Sequence, residues 1–74
     1  MRIMVRNADD DFRALNMANA MEGAGATVFA ITYMGERTHD GALSPYPYFS
    51  VWSKVDRDEQ IAAVDRAIEK ELGP

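Results

Sequence analysis

Near its middle the chain reads Ala26-Thr27-Val28-Phe29-Ala30-Ile31-Thr32-Tyr33-Met34, and this stretch is the clearest strand of the sequence. It is dense in β-branched and aromatic residues, which strands favour. Both of its alternating faces are apolar. That pattern is typical of a central strand, or of a strand whose second face is covered by a partner. We therefore predict that a sheet is built around this segment.

The N-terminal residues predict a shorter strand. Residues 2–6 alternate in character, and period two with β-branched residues indicates a strand with one buried face. Ile3 and Val5 share the face that we expect to be buried. Arg2, Met4 and Arg6 share the other, and an arginine at both ends of it indicates an edge position or a solvated side.

A helix is predicted between these two strands, from Asp11 to Glu22. The run of aspartates at residues 9–11 supplies an N-cap and places negative charge where the helix dipole favours it. Gly23 and Gly25 end the helix, since either can adopt the left-handed conformation of a C-terminus. At 100° per residue, one side of the helix is apolar, and it comprises Ala14, Leu15, Met17, Ala18 and Met21; Phe12 lies off that side.

The second half of the chain predicts a connection, a strand and a helix. Residues 35–47 are punctuated by glycine and proline and form the connection. Residues 48–55 alternate as a third strand. Asp56 and Glu59 have capping-box spacing and open the last helix. Its single apolar stripe comprises Ile61, Val64, Ile68 and Leu72.

The order β-α-β-β-α predicts an α+β fold in a single domain covering residues 1–74. We expect a two-layer arrangement with a three-stranded sheet and both helices packed on one face. The order resembles that of a ferredoxin-like fold without its last strand. This resemblance is topological only and implies no function.

Composition and charge exclude several classes of function. The 74 residues include no cysteine, which excludes thiolate catalysis and all-cysteine zinc sites. Twelve acidic residues against eight basic ones give a net charge of −4, which argues against general nucleic-acid binding. There is no apolar run long enough to span a membrane and no signal-peptide pattern, so we expect a cytoplasmic protein with no membrane contact.

Two groups of residues are candidates for metal binding or catalysis. The aspartates at residues 9–11 could bind a divalent cation, but calcium-loop spacing is absent and an acidic helix N-terminus is favoured. His39, the only histidine, lies with Asp40 and Glu36 on the long connection, where no nucleophile pattern surrounds it. The sequence therefore predicts a protein that is not an enzyme, with no cofactor and no metal.

The leading functional prediction is a small acidic module for protein–protein interaction, with an accessory or inhibitor-like role of the kind that phages and mobile elements encode. A core of this size contributes only a few kcal/mol, so association with a partner protein, or with a second copy as a homodimer, would add stability. The expected contacts are a sheet face or edge and the stiff, tyrosine-bearing loop at residues 42–49. The predicted partner-binding residues are Trp52, Tyr46, Tyr48, Tyr33, Arg2 and Arg6.

Two alternatives remain open. The first is a small-ligand binder or enzyme whose site lies at a dimer interface and uses His39, Asp40 and Glu36. The second is nucleic-acid binding through a sheet face bearing Arg2, Arg6 and Lys54, which the acidic balance of the chain disfavours.

Overall fold

The computed structural model describes residues 1–35 and 47–73. They form three strands and two helices in the predicted order, and the α+β fold is confirmed. The elements are β1 (Arg2–Ala8), α1 (Asp11–Gly23), β2 (Thr27–Met34), β3 (Tyr48–Val55) and α2 (Glu59–Leu72).

The sheet has the order β1-β3-β2, and β3 pairs antiparallel with both neighbours. Thus β1 and β2 run parallel, are joined through α1 and leave a gap that β3 fills. This split β-α-β arrangement agrees with the truncated ferredoxin-like order. The edge position predicted for β1 is confirmed. Of the two alternatives predicted for β2, the central position is wrong, because β3 takes that place and is the most buried of the three described strands.

The buried face of β1 is the opposite of the predicted one. Met4 is 2% exposed and Ala8 is also buried, whereas Ile3 is 51% exposed. Strand register explains the difference, because Met4 pairs with Ser53 and Ala8 with Phe49, on the side that the helices cover. Arg2 and Arg6 also lie on this buried face. Their side chains are long enough to extend past its edge to Asp58, just before α2, and Asp65, on α2.

Helix α1 begins at a true N-cap. The Asp10 carboxylate accepts a hydrogen bond from the backbone N–H of Arg13 at 2.7 Å. The predicted apolar side holds with one exception, since Leu15 is 55% exposed. Leu15 lies about 100° around the helix from Ala14, which places it at the margin of the stripe. Phe12 is exposed, as its position off the stripe predicted.

Helix α2 begins later than predicted. Asp58 occupies the cap position, and its side chain makes no capping hydrogen bond, so the capping box of Asp56 and Glu59 is wrong. Gln60 makes the backward side-chain hydrogen bonds instead. Its Oε1 accepts from the backbone N–H groups of Asp56 and Arg57 at 2.8 and 2.9 Å. The predicted apolar stripe is confirmed: Val64 is fully buried, and three residues pack against the core, namely Ile61, Ile68 and Leu72.

The core lies between the sheet and the two helices, and its residues are small. Of the ten buried apolar residues in the described part of the chain, four are alanines: Ala8, Ala14, Ala18 and Ala26. The larger buried residues are Met4, Met17, Met21, Val51, Val55 and Val64. Both helices lie on one side, and no helix of residues 1–35 and 47–73 lies on the other side of the sheet.

Candidate protein-binding surface

The side of the sheet that points away from the helices forms a continuous surface, which we call the open face. Strand register assigns its residues. A β-bulge between Val28 and Ala30 turns Phe29 to this side, where it lies beside Lys54. The open face comprises Ile3, Val5 and Asn7 from β1, Tyr48, Ser50, Trp52 and Lys54 from β3, and Thr27, Phe29, Ala30, Thr32 and Met34 from β2.

Large apolar side chains of the open face are in contact with solvent. Ile3 and Phe29 are each about half exposed, and Met34 is 37% exposed. Val5 and Tyr48 are half-buried beside them. Exposed apolar side chains scattered singly are normal, but a contiguous group on one face marks an interaction site. No helix of the described residues covers this group.

Trp52 occupies the middle of the open face. It lies on the central strand and pairs with Val5 on one side and with Ala30 on the other. The ring is half-buried, and its Nε1–H is buried with no acceptor among the described residues. Buried indole N–H groups usually have a partner, and an unsatisfied donor costs about 1–3 kcal/mol. Such exceptions are few in folded proteins, and each calls for an explanation.

The polar groups of the open face are few. The Ser50 hydroxyl donates to the Asn7 side-chain oxygen at 2.8 Å. The Lys54 ammonium lies 5.8 Å from the centroid of the Phe29 ring, within cation–π range. Lys54 is the only charged residue at the strand positions of the open face, so this face carries no acid although the chain is acidic overall.

Three predicted partner-binding residues lie on the helix side of the sheet instead. The Tyr33 ring packs on Phe49, with 5.1 Å between centroids. Arg2 is 3.2 Å from Asp58, and Arg6 binds Asp65. The structure therefore brings Trp52 and Tyr48 together but separates both from Tyr33 and the two arginines. It also separates Lys54 from Arg2 and Arg6, so the three cations expected for nucleic-acid binding do not share a face.

The Arg6–Asp65 pair joins the sheet to α2 through two hydrogen bonds. Arg6 donates from Nε to Oδ1 at 2.7 Å and from the terminal nitrogen Nη2 to Oδ2 at 2.9 Å. Hydrogen bonding to Arg6 holds the pKa of Asp65 below its ordinary value, against the opposing effect of burial, and the pKa of Arg6 is raised. Sequence reasoning missed this pair. The available signal was an acid beside Val64, next to the apolar stripe.

The remaining predicted residues lie either outside the described part of the chain or at the start of α1. Tyr46, His39, Asp40 and Glu36 lie outside the described residues, as does most of the 42–49 loop. Asp10 caps α1, and the Asp11 carboxylate accepts the N–H of Phe12. Within residues 1–35 and 47–73, no cluster of three histidine or acidic side chains could hold a metal ion.

A shallow cavity lies at the start of α1. Its volume is about 240 Å³, and its described lining residues are Asp11, Phe12 and Leu15. Ligand pockets typically measure about 300–1,000 Å³ and present convergent polar groups. Asp11 is the only ionisable group among these described lining residues.

The fold and this surface define a class, namely a small α+β domain in which one face of the sheet is apolar and no helix of the described residues covers it. Comparisons with protein-family models, with curated proteins and with solved structures find no match to the chain. In the described part of the chain, neither helix has the length and apolar character needed to cross a membrane.

Proposed function

We propose that the protein is a non-enzymatic interaction module that binds a partner protein through the open face. The observation that carries this proposal is the contiguous apolar group around Trp52, with Ile3 and Phe29 half exposed on either side of it. Aromatic residues and methionine are enriched in the cores of protein interfaces, and the few residues that dominate the binding energy are often tryptophan, tyrosine or arginine.

The shape and charge of the open face support a protein rather than another ligand. A broad sheet surface suits a protein partner, whereas a small molecule needs a concave pocket. The only cation at its strand positions is Lys54, which is too few to track a phosphate backbone.

The chemistry of the surface supports one kind of partner. It is a protein with an apolar patch to cover Trp52 and an acidic group near Lys54, because Lys54 is unopposed by any acid at the strand positions of the open face. The chain acts on that partner as an accessory or inhibitor-like protein in the cytoplasm, in the manner of small phage-encoded proteins. Tyr48 extends the contact towards the adjoining 42–49 loop.

The test is site-specific photo-crosslinking in cells of the source organism. A benzoylphenylalanine replaces Phe29 on the open face or, as the matched control, Phe12 on α1, which is exposed on the helix side. We expect one defined protein to crosslink at residue 29 and not at residue 12. Crosslinking of the same species from both positions would contradict the proposal.

The captured partner, once purified, is titrated against the wild-type chain and Trp52→Ala. Loss of this central side chain is expected to weaken binding at least roughly tenfold, as hot-spot truncations do. Circular dichroism of the free variant checks that it is folded. Trp52 is the only tryptophan, so its emission reports directly on burial of the open face. The proposal is contradicted if Trp52→Ala binds the partner as tightly as the wild-type chain does and if the wild-type emission does not change when the partner is added.

A further inference from the structure

The second edge of the sheet, β2, has neither a charged residue nor a proline to protect it. It pairs only with β3 among the described strands, and six of its eight residues are exposed. The sequence Thr-Val-Phe-Ala-Ile-Thr-Tyr-Met contains no charge and no proline. Natural proteins normally protect edges with charged residues, proline or a cover, because unpaired strand edges recruit other strands. The bulge disrupts only the first part of β2, which leaves residues 30–34 regular.

The other edge, β1, is different. It carries Arg2 and Arg6, whose side chains bind Asp58 and Asp65 at its side. Antiparallel pairing of two β1 strands would bring four arginines to one seam. The charged edge and the uncharged edge therefore have different capacities for pairing, and β2 is the one that pairs without electrostatic cost.

The side chains of β2 are complementary to a second copy of β2. With the two-fold axis at Thr32, Ile31 of one copy lies opposite Tyr33 of the other, in both directions. These two side chains are 45% and 47% exposed on the helix side of the sheet. Across the open face the same register places Ala30 opposite Met34 and Thr32 opposite Thr32. Aromatic to β-branched pairs and threonine pairs are favourable cross-strand combinations.

We propose that two copies of this chain associate through antiparallel β2–β2 pairing centred on Thr32, which joins their sheets into one of six strands. Such an interface is isologous and closed, as in most homodimers. The two-fold axis is perpendicular to the sheet, so both open faces lie on the same side and form one continuous surface. The dimer thus presents two copies of Trp52 to a partner. This inference concerns the backbone edge of β2 rather than the open face around Trp52, and it holds if the proposed function fails.

The test uses single cysteines in a chain that has none of its own. Thr32→Cys places two thiols opposite each other at the axis. Thr27→Cys is the matched control, because Thr27 is exposed on the same strand and the same face. In the proposed register, residue 27 of one copy lies about 30 Å from residue 27 of the other, because the two positions are ten residues apart along the paired strands.

Under mild oxidation of micromolar protein, Thr32→Cys is expected to form a disulfide-linked dimer at least roughly tenfold faster than Thr27→Cys, since paired thiols have a millimolar effective concentration. Equal rates would overturn the proposal. Light scattering of the full chain is expected to give the mass of two chains rather than 8.3 kDa. Thr32→Lys should reduce that mass to one chain, and Trp52→Ala should not change it. Loss of the dimer in Trp52→Ala would show that the open face is the dimer interface and would also overturn the proposal.

Discussion

Two buried serines on β3 have opposite environments. Ser53 is fully buried on the helix side of the sheet, beside Met4 and Val28, and its hydroxyl has no partner among the described residues. Ser50 is buried on the open face, and its hydroxyl donates to Asn7 at 2.8 Å. An unsatisfied buried hydroxyl destabilises the folded state, whereas a satisfied one contributes about 0.5–1.5 kcal/mol.

Replacement of Ser53 by alanine is therefore expected to increase the free energy of unfolding, by about 1 kcal/mol. The methyl group keeps the packing at this position and removes the desolvated oxygen. Urea denaturation followed by circular dichroism measures the change.

Ser50→Ala is the matched control, because it makes the same substitution on the same strand. It removes the hydrogen bond to Asn7 and is expected to lower the free energy of unfolding by about 1 kcal/mol. If both variants are destabilised alike, the Ser53 hydroxyl has a hydrogen-bond partner in solution.

At the scale of elements, the Arg6–Asp65 pair connects the edge strand β1 to α2. Its two hydrogen bonds have the fork geometry that makes arginine–carboxylate pairs strong. Both side chains are partly exposed, so solvent screening keeps the contribution near the value for surface pairs. The Arg2–Asp58 contact is longer and largely exposed, and it provides a comparison between β1 and the residue that precedes α2.

Asp65→Asn is expected to lower the free energy of unfolding by about 0.5–1 kcal/mol at pH 7, and Asp58→Asn by much less. The pKa of Asp65 is lower in the folded state than in the unfolded chain because Arg6 donates to it. Its contribution is therefore present above the unfolded pKa of about 3.9 and disappears as the pH falls through the folded-state pKa. The pKa of Arg6 is raised, so Arg6 stays charged throughout this range.

Denaturation of wild type and Asp65→Asn at a series of pH values measures this effect. The difference between their free energies of unfolding should decrease as the solution is acidified below pH 4. A double-mutant cycle with Arg6→Gln isolates the pairwise coupling. A difference that is constant from pH 7 to the acid limit would show that Asp65 acts through something other than its charge.

The elements themselves could be predicted from the sequence, because helix and strand periodicity are local. The bounds of β3 match the prediction, and those of the other elements lie within three residues of it. Strand order could not be predicted, because it depends on which strand enters the gap between β1 and β2. The prediction that Ile3 and Val5 form the buried face of β1 was also wrong. Both of its faces contain apolar residues, and only the pairing of Met4 with Ser53 decides between them.

The candidate site could be predicted only in part. Trp52 and Tyr48 share a face by strand alternation, which the sequence shows directly. Arg2 and Arg6 were assigned to that face because the orientation of β1 was inverted, and Tyr33 because the bulge at Phe29 changes the alternation of β2. A bulge leaves no periodic signal in a strand that is apolar on both faces, so this error could not be avoided from the pattern alone.

At the scale of the whole molecule, the described core is small for the number of residues that it orders. Four of its ten buried apolar residues are alanines, whose burial contributes little. Meanwhile Ile31, Tyr33, Phe29 and Ile3 remain exposed on the sheet. A 74-residue domain with this distribution gains stability most readily by covering those side chains through association.

Thermal stability is therefore expected to depend on protein concentration. Mass action on a folded dimer contributes about 1.4 kcal/mol per tenfold increase in concentration, or about 0.7 kcal/mol per chain. For a domain of this size that raises Tm by about 3–5 °C per tenfold. Differential scanning calorimetry over a hundredfold concentration range measures the slope. Thr32→Lys should abolish the slope and lower Tm, whereas Thr27→Lys should retain it. A wild-type Tm that does not change with concentration would mean that the folded chain is stable without β2 pairing.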